Sequence, residues 1–163
     1  DFYRPVPFRM APLDLNAVCE SVAILLNKRL EEARVALSLD LAPELPLTCG
    51  DGNQIKQVLI NLLLNAAEAM PPEGGNVVVR TAGERDQVYT SVADDGCGIL
   101  DEHRARLFEP LFTTKTRGLG LGLAISQEIA QRHGGAITVE SAPRRGATLT
   151  FHLPVQEVCD EPS

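Results

Sequence analysis

Two asparagines, Asn61 and Asn65, stand four residues apart in the leucine- and alanine-rich run NLLLNAAEAM. Four residues is close to one helical turn, so both amides project from one face. Asparagine is a poor helix-interior residue because its side chain competes with the backbone for hydrogen bonds. Advancing residue by residue around the helix, Gln54, Gln57, Asn61, Asn65 and Glu68 fall within an arc of roughly 80°. Ile60 and Leu64 flank this stripe. It reads either as a narrow solvent face or as a functional surface. Amide oxygens are hard donors that suit Mg²⁺, and amides also hold phosphate or water.

Two further stretches carry chemistry. In DDGCGI (94–99) an acid is followed by G-x-G at the end of a strand pattern. Gly96 and Gly98 permit a sharp turn and close backbone approach, and Asp94 offers a carboxylate acceptor suited to an exocyclic amine. Taken alone it reads as an ordinary turn. In RGLGLGLAIS (117–126), Gly118, Gly120 and Gly122 alternate into a helix start. Each costs about 1 kcal/mol in a helix interior. Bare N–H groups at a helix start make an anion site, and the alternative is a flexible loop. The G-K-[ST] ending of a Walker A loop is absent, and no strand immediately precedes the glycines as a dinucleotide motif requires. Between these stretches, LFEPLFTTKTR (107–117) places Phe108 and Phe112 as anchors for a lid, with Thr113, Thr114, Lys115 and Arg117 as phosphate donors.

Elements must hold these groups. Asp14 or Asn16 begins an amphipathic helix that runs to Ala33. VALSLDLA (35–42) alternates as a half-buried strand does. Residues 43–50 form a connection, and Asp51 caps a second helix that Pro71-Pro72 stops after about Met70. NVVVRTAGE (76–84) and DQVYTSVADD (86–95) form a hairpin about Arg85-Asp86. Residues 96–118 read as a functional loop with a short helical patch over 101–107. LGLGLAISQEIAQRH (119–133) is a third helix ended by Gly134-Gly135, and GAITVES with GATLTFHLP closes the chain in a hairpin. The fold class expected is an α/β (α+β) two-layer sandwich, with three helices on one face of a mixed, mostly antiparallel sheet. Residues 1–11 read as a linker, 12–154 as the domain, and 155–163 as a frayed polar tail.

A length of 163 residues suits one domain with its own core. A net charge of −7 argues against a nucleic-acid or anionic-membrane surface, though not against a local phosphate site. No apolar run reaches the roughly 20 residues a spanning helix needs. Cys19, Cys49, Cys97 and Cys159 have no metal-knuckle spacing, and they read as reduced thiols of a cytoplasmic chain. The opening DFYRPVPF lacks an initiator Met and reads as the start of a fragment, so a membrane anchor in the parent stays open.

Taken together and in order, these motifs resemble the catalytic ATP-binding domain of sensor histidine kinases. That domain belongs to the gyrase, Hsp90, histidine kinase and MutL superfamily, whose site is called the Bergerat fold. The resemblance covers about residues 12–154: QVLINLLLNAAEAM matches the N box, DDGCGI the G1 box, LFEPLFTTK the F box and GLGLGLAIS the G2 box. The wording is nearest the nitrogen-regulation-type kinases. The resemblance implies ATP and Mg²⁺ as cofactors and casts Asn61, Asn65 and Lys115 as catalytic. Asn65 is the metal ligand, with Asn61 helping at metal or phosphates. Asp94 accepts from the adenine amine, and Gly96, Gly98 and Ile99 border the base. Phe108, Thr114 and Lys115 belong to the lid. Gly118, Leu119, Gly120, Leu121, Gly122 and Leu123 form the phosphate loop. Thr148 lies in the closing strand beside the adenine pocket.

Two positions depart from the family pattern. Many members carry a cation three residues after the second asparagine, where Glu68 stands, and many have Thr or Ser in place of Leu119. His103, His133 and His152 follow no phosphoacceptor pattern and read as surface or packing residues. The implied partners are an upstream helical dimerisation and phosphoacceptor domain and a response-regulator receiver domain, with no nucleic acid and no direct membrane contact. The rival readings are a stand-alone ATPase of the superfamily, an anti-sigma-type serine kinase, and an interaction module that has lost nucleotide binding.

Overall fold

The structure is a computed structural model that describes residues 9–96, 120–141, 146–156 and 159, with only the backbone given for residues 120–122 and 141. The first helix, α1, spans Leu15–Glu32. Asp14 caps it, its carboxylate accepting the Asn16 N–H at 3.0 Å. Leu15, Cys19, Val22, Leu26 and Leu30 form its buried stripe. The second helix, α2 (Gly52–Glu68), is capped by Asp51, whose carboxylate accepts from Asn53 N and Gln54 N. The third, α3 (Gly120–Arg132), ends before Gly134, which holds a φ of 77°.

The strands are β1 (Ala11–Leu13), β2 (Val35–Asp40), β3 (Thr48–Gly50), β4 (Gly75–Glu84), β5 (Gln87–Asp94), β6 (Ala136–Ser141) and β7 (Ala147–Pro154). Five form one sheet in the order β2-β4-β5-β7-β6. The β2–β4 pair is parallel and the other three are antiparallel. Alternation sends Val77 and Val79, Val88 and Val92, and Leu149, Phe151 and Leu153 into the core shared with the helices. Phe151 is its largest fully buried side chain. The mixed, mostly antiparallel two-layer sandwich is the expected fold class. At one end Thr81 Oγ1 donates to Asn16 Oδ1 at 2.6 Å and accepts from Ala42 N at 2.8 Å, tying α1 to β4. No helix among the described residues is long and apolar enough to cross a membrane.

Three local expectations change. First, part of the chain read as extended linker and part of the 43–50 connection pair with each other as β1 and β3, a small antiparallel sheet. Neither three-residue strand is long enough to show a period. Second, the chain beyond Pro154 is held, not frayed, at least through Gln156. Val155 N donates to Asp86 O at 2.7 Å and Gln156 N to Leu47 O at 2.9 Å. Third, Cys49 and Cys159 are joined in a disulfide, against the expectation of reduced thiols. They lie 110 residues apart, and only the return of the chain past β3 makes them neighbours. Cys19 is a free thiol; burial pushes its pKa up to about 11, so it stays protonated. The helical patch read over 101–107 lies outside the described residues.

Candidate nucleotide site

The α2 helix is the spine of the site. Leu59, Leu62, Leu63 and Ala66 are buried, while Asn61 and Asn65 are half-buried and Gln57 and Glu68 are exposed. The stripe is therefore only partly a solvent face. Its middle turns toward α3: Asn61 Nδ2 donates to Ser126 Oγ at 3.0 Å, and Asn61 Oδ1 accepts from Gln57 Nε2 at 3.1 Å. That contact sets α3, with its glycine-bearing first turn, beside the asparagine turn of α2.

The acidic turn reaches the other end of the same helix. By strand alternation Val88, Thr90, Val92 and Asp94 share the helix-facing side of β5. Asp94 Oδ1 accepts from Gly96 N at 2.9 Å, which closes the turn. A Cβ on Gly96 would stand 2.6 Å from Ala69 O and 3.0 Å from Asp94 Oδ1. This is a close backbone approach that only glycine permits. Ala69 N in turn donates to Asn65 O at 3.2 Å, so the Asp94 turn rests on the turn of α2 that starts at Asn65.

Asp95 fastens that turn to the sheet. Its carboxylate accepts from Asn76 N at 2.8 Å and Asn76 Nδ2 at 2.9 Å. The backbone bond, then the side-chain bond, holds its pKa below the ordinary carboxylate value. Gly146, at φ 79°, lies so close to Asp94 O that any Cβ there would collide with it.

Thr148 lies in β7. In the β5–β7 register Ala93 faces Thr148 and Asp94 faces Ala147. Directly opposed residues share a face of the sheet. Thr148 therefore lies on the side away from Asp94, and buried Ala147 is its cross-strand neighbour. The sequence shows the closing strand but not which of two adjacent residues faces the helices, because that depends on the strand pairing. Leu123 is buried in the core (2% exposed), so it supports α3 by packing. Gly98, Ile99, Phe108, Thr114, Lys115, Gly118 and Leu119 lie outside the described residues, and Gly120, Leu121 and Gly122 are placed only as the backbone of the first turn of α3. Ser126, fully buried, accepts a hydrogen bond from Asn61, a contact that sequence reasoning missed. A lone serine inside a helix gives no signal of its own.

The histidine readings hold where they can be seen. His133 is buried at the end of α3: Nε2 accepts from Asp51 N at 3.1 Å and Nδ1 donates to Ile129 O at 2.8 Å. His152 lies against Tyr89, ring centroids 5.6 Å apart. No cluster of three His, Cys, Asp or Glu able to hold a metal occurs among the described residues. An amide ligand with bound phosphates is an arrangement that suits Mg²⁺, which keeps much of its water and needs few protein ligands.

Residues 50–157 match the family of histidine kinase-, DNA gyrase B- and HSP90-like ATPases. Among similar proteins, sensor histidine kinase ZraS of Klebsiella oxytoca is 40% identical over 156 residues, 95% of this chain and 34% of its own length. Sporulation kinase E of Bacillus subtilis is 42% identical over 138 residues, 84% of this chain and 19% of its own. The chain thus spans about a third or less of these relatives. Full-length ShkA, solved in complex with AMPPNP, superposes with a TM-score of 0.83 at 30% identity, covering 95% of this chain and 33% of that one. The catalytic domain of histidine kinase ThkA superposes with a TM-score of 0.80 at 32% identity, covering 90% of this chain and 98% of that one. ThkA in complex with response regulator TrrA gives a TM-score of 0.78 at 29% identity, covering 92% of this chain and 43% of that one. The chain therefore belongs to the histidine kinase-, DNA gyrase B- and HSP90-like ATPase family and has the catalytic-domain fold of the histidine kinases.

Proposed function

We propose that this chain is the ATP- and Mg²⁺-binding domain of a sensor histidine kinase, passing the γ-phosphoryl group of ATP to a histidine on a separate helical domain. A response-regulator receiver domain then takes the phosphoryl group. In this reading residues 12–154 are the catalytic domain, 1–11 the link to the phosphoacceptor domain and 155–163 the tail. The domain works in the cytoplasm, with any membrane anchor elsewhere in the parent. The observation that carries the reading is the convergence on α2: the Asp94–Gly96 turn at Ala69, and α3 at Asn61.

Each residue then has a defined task. Asp94 accepts from the adenine amine, and Gly96 leaves room for the base. Asn65 presents an amide oxygen to Mg²⁺. The backbone N–H groups at the start of α3 face the phosphates, and Lys115 and Thr114 supply further phosphate donors. Bound Mg²⁺ supplies charge neutralisation on the phosphates. The P–O bond to ADP breaks as the bond to the imidazole nitrogen forms, and the imidazole proton leaves to a base on the phosphoacceptor domain. This chain contributes positioning and electrostatics, as phosphoryl transfer requires.

Asn61 favours transfer over hydrolysis. Hydrolysing members of the superfamily place a glutamate one turn before the metal-binding asparagine to activate water. Here that position is an amide bonded to Gln57 and Ser126, and an amide is no base. The test is calorimetric titration with a non-hydrolysable ATP analogue plus Mg²⁺, alongside Asn65→Ala and Asp94→Ala, and an acid-labile phosphohistidine assay on the full-length parent. The expected result is micromolar to millimolar binding lost in both variants, phosphohistidine in the parent, and negligible hydrolysis by the domain alone. Hydrolysis at about one turnover per second, ordinary for an enzyme, that Asn61→Ala abolishes would overturn the transfer reading. No binding at millimolar analogue would favour an interaction module.

A further inference from the structure

Ser126 is fully buried where α2 and α3 pack side by side. A buried hydroxyl is costly unless it is bonded, and its partner is Asn61 Nδ2 at 3.0 Å. The Asn61 carbonyl is held in turn by Gln57 Nε2 at 3.1 Å, one turn earlier on α2. The three side chains form one file, Gln57 to Asn61 to Ser126, running from the exposed edge of α2 into the helix interface. Leu62 and Leu63 on α2 and Leu123 and Ala130 on α3 belong to the apolar core of the domain. Apolar packing is non-directional and tolerates sliding. A hydrogen bond fixes both distance and angle.

We propose that Ser126 is a positioning residue for the nucleotide site. Its hydroxyl clamps the Asn61 amide and so sets the register of α3 against α2. It lies six residues beyond Gly120, roughly 9 Å along the helix from its start. Asn65 lies one turn beyond Asn61 on α2. A shift at the clamp therefore moves the glycine-led start of α3 relative to the metal-binding asparagine. The inference rests on the nucleotide reading above, but the clamp can be measured without nucleotide.

The experiment is a double-mutant cycle with Ser126→Ala and Asn61→Ala, read in two ways. One is thermal unfolding of the ligand-free chain. The other is affinity for a non-hydrolysable ATP analogue with Mg²⁺, and for ADP in EDTA. Ser126→Ala is expected to weaken the Mg²⁺-dependent affinity about tenfold, the scale of one buried hydrogen bond. Affinity for ADP in EDTA, which leans on the Asp94 turn, should change by less than about twofold. In the Asn61→Ala background Ser126→Ala should add nothing to either readout. Equal losses with and without Mg²⁺, or an undiminished effect of Ser126→Ala in the Asn61→Ala background, would reduce Ser126 to ordinary packing and overturn the proposal. Ser126→Cys keeps the volume and most of the packing while weakening the bond. It should give an intermediate loss and serves if the alanine variant does not fold. If the unaltered chain binds no analogue at all, the nucleotide reading fails. Non-additive unfolding would then still support the clamp, and additive unfolding would overturn it.

Discussion

Replacing His133 with leucine tests how the far ends of α2 and α3 are joined. His133 is 4% exposed and bridges the two helices. Its Nε2 accepts the Asp51 N–H at 3.1 Å, immediately before α2, and Nδ1–H donates to Ile129 O at 2.8 Å. Leucine keeps most of the volume and deletes both bonds. Ile129 O retains the backbone N–H of residue 133, but the Asp51 N–H loses its imidazole acceptor. An orphaned buried donor costs about 1–3 kcal/mol. For a chain of this size about 2 kcal/mol corresponds to a fall of roughly 4–8 °C in Tm.

The same contact fixes a pH dependence. Desolvation is the main cause that pushes the His133 pKa down, reinforced by Arg132 and opposed by the Ile129 carbonyl and Asp51. Protonation would also place a hydrogen on Nε2, where the Asp51 N–H now points. The unfolded chain therefore binds a proton that the folded chain refuses. Stability from this group is full above the ordinary value of 6.5 and is lost as pH falls from there toward the lowered native value. Denaturant unfolding of both proteins between pH 7.5 and 5.5 should show the native chain losing more stability than His133→Leu. Parallel stability curves, or a variant as stable as the native chain at pH 7.5, would refute the bridge.

Three further outcomes follow from the packing. Reducing the Cys49–Cys159 disulfide, which spans 110 residues, should lower the unfolding free energy by about 2–5 kcal/mol in denaturant titrations with and without reductant. Phe151→Ala, at the centre of β7, should cost about 3–5 kcal/mol in the same assay, because a large cavity opens in a sheet packed on both flanks. Gly146→Val combines a φ of 79° with a collision at Asp94 O, so about 2 kcal/mol or more of stability should go, and calorimetry should find analogue affinity weakened with it.

Much of the molecule is legible in local pattern. The buried stripe of α1, the Asp14 and Asp51 caps, the β4–β5 hairpin about Arg85-Asp86 and the Gly134 stop all follow from periods and dihedral preferences within a few residues of chain. The asparagine pair, the acidic turn and the alternating glycines are legible for the same reason, since each motif is contiguous. What the sequence alone determined, then, is the main helices and strands of the fold and the motifs they carry. The tertiary structure decided which of those groups meet. Ser126 reaches Asn61 across 65 residues, His133 reaches Asp51 across 82, and Cys159 reaches Cys49 across 110. Which of Ala147 and Thr148 shares a sheet face with Asp94 is a one-residue question of strand facing. Such pairings depend on strand order, register and helix placement, which emerge only when the whole core packs. A hydroxyl, an imidazole or a thiol written alone in a helix or tail carries no mark of the partner that folding brings to it.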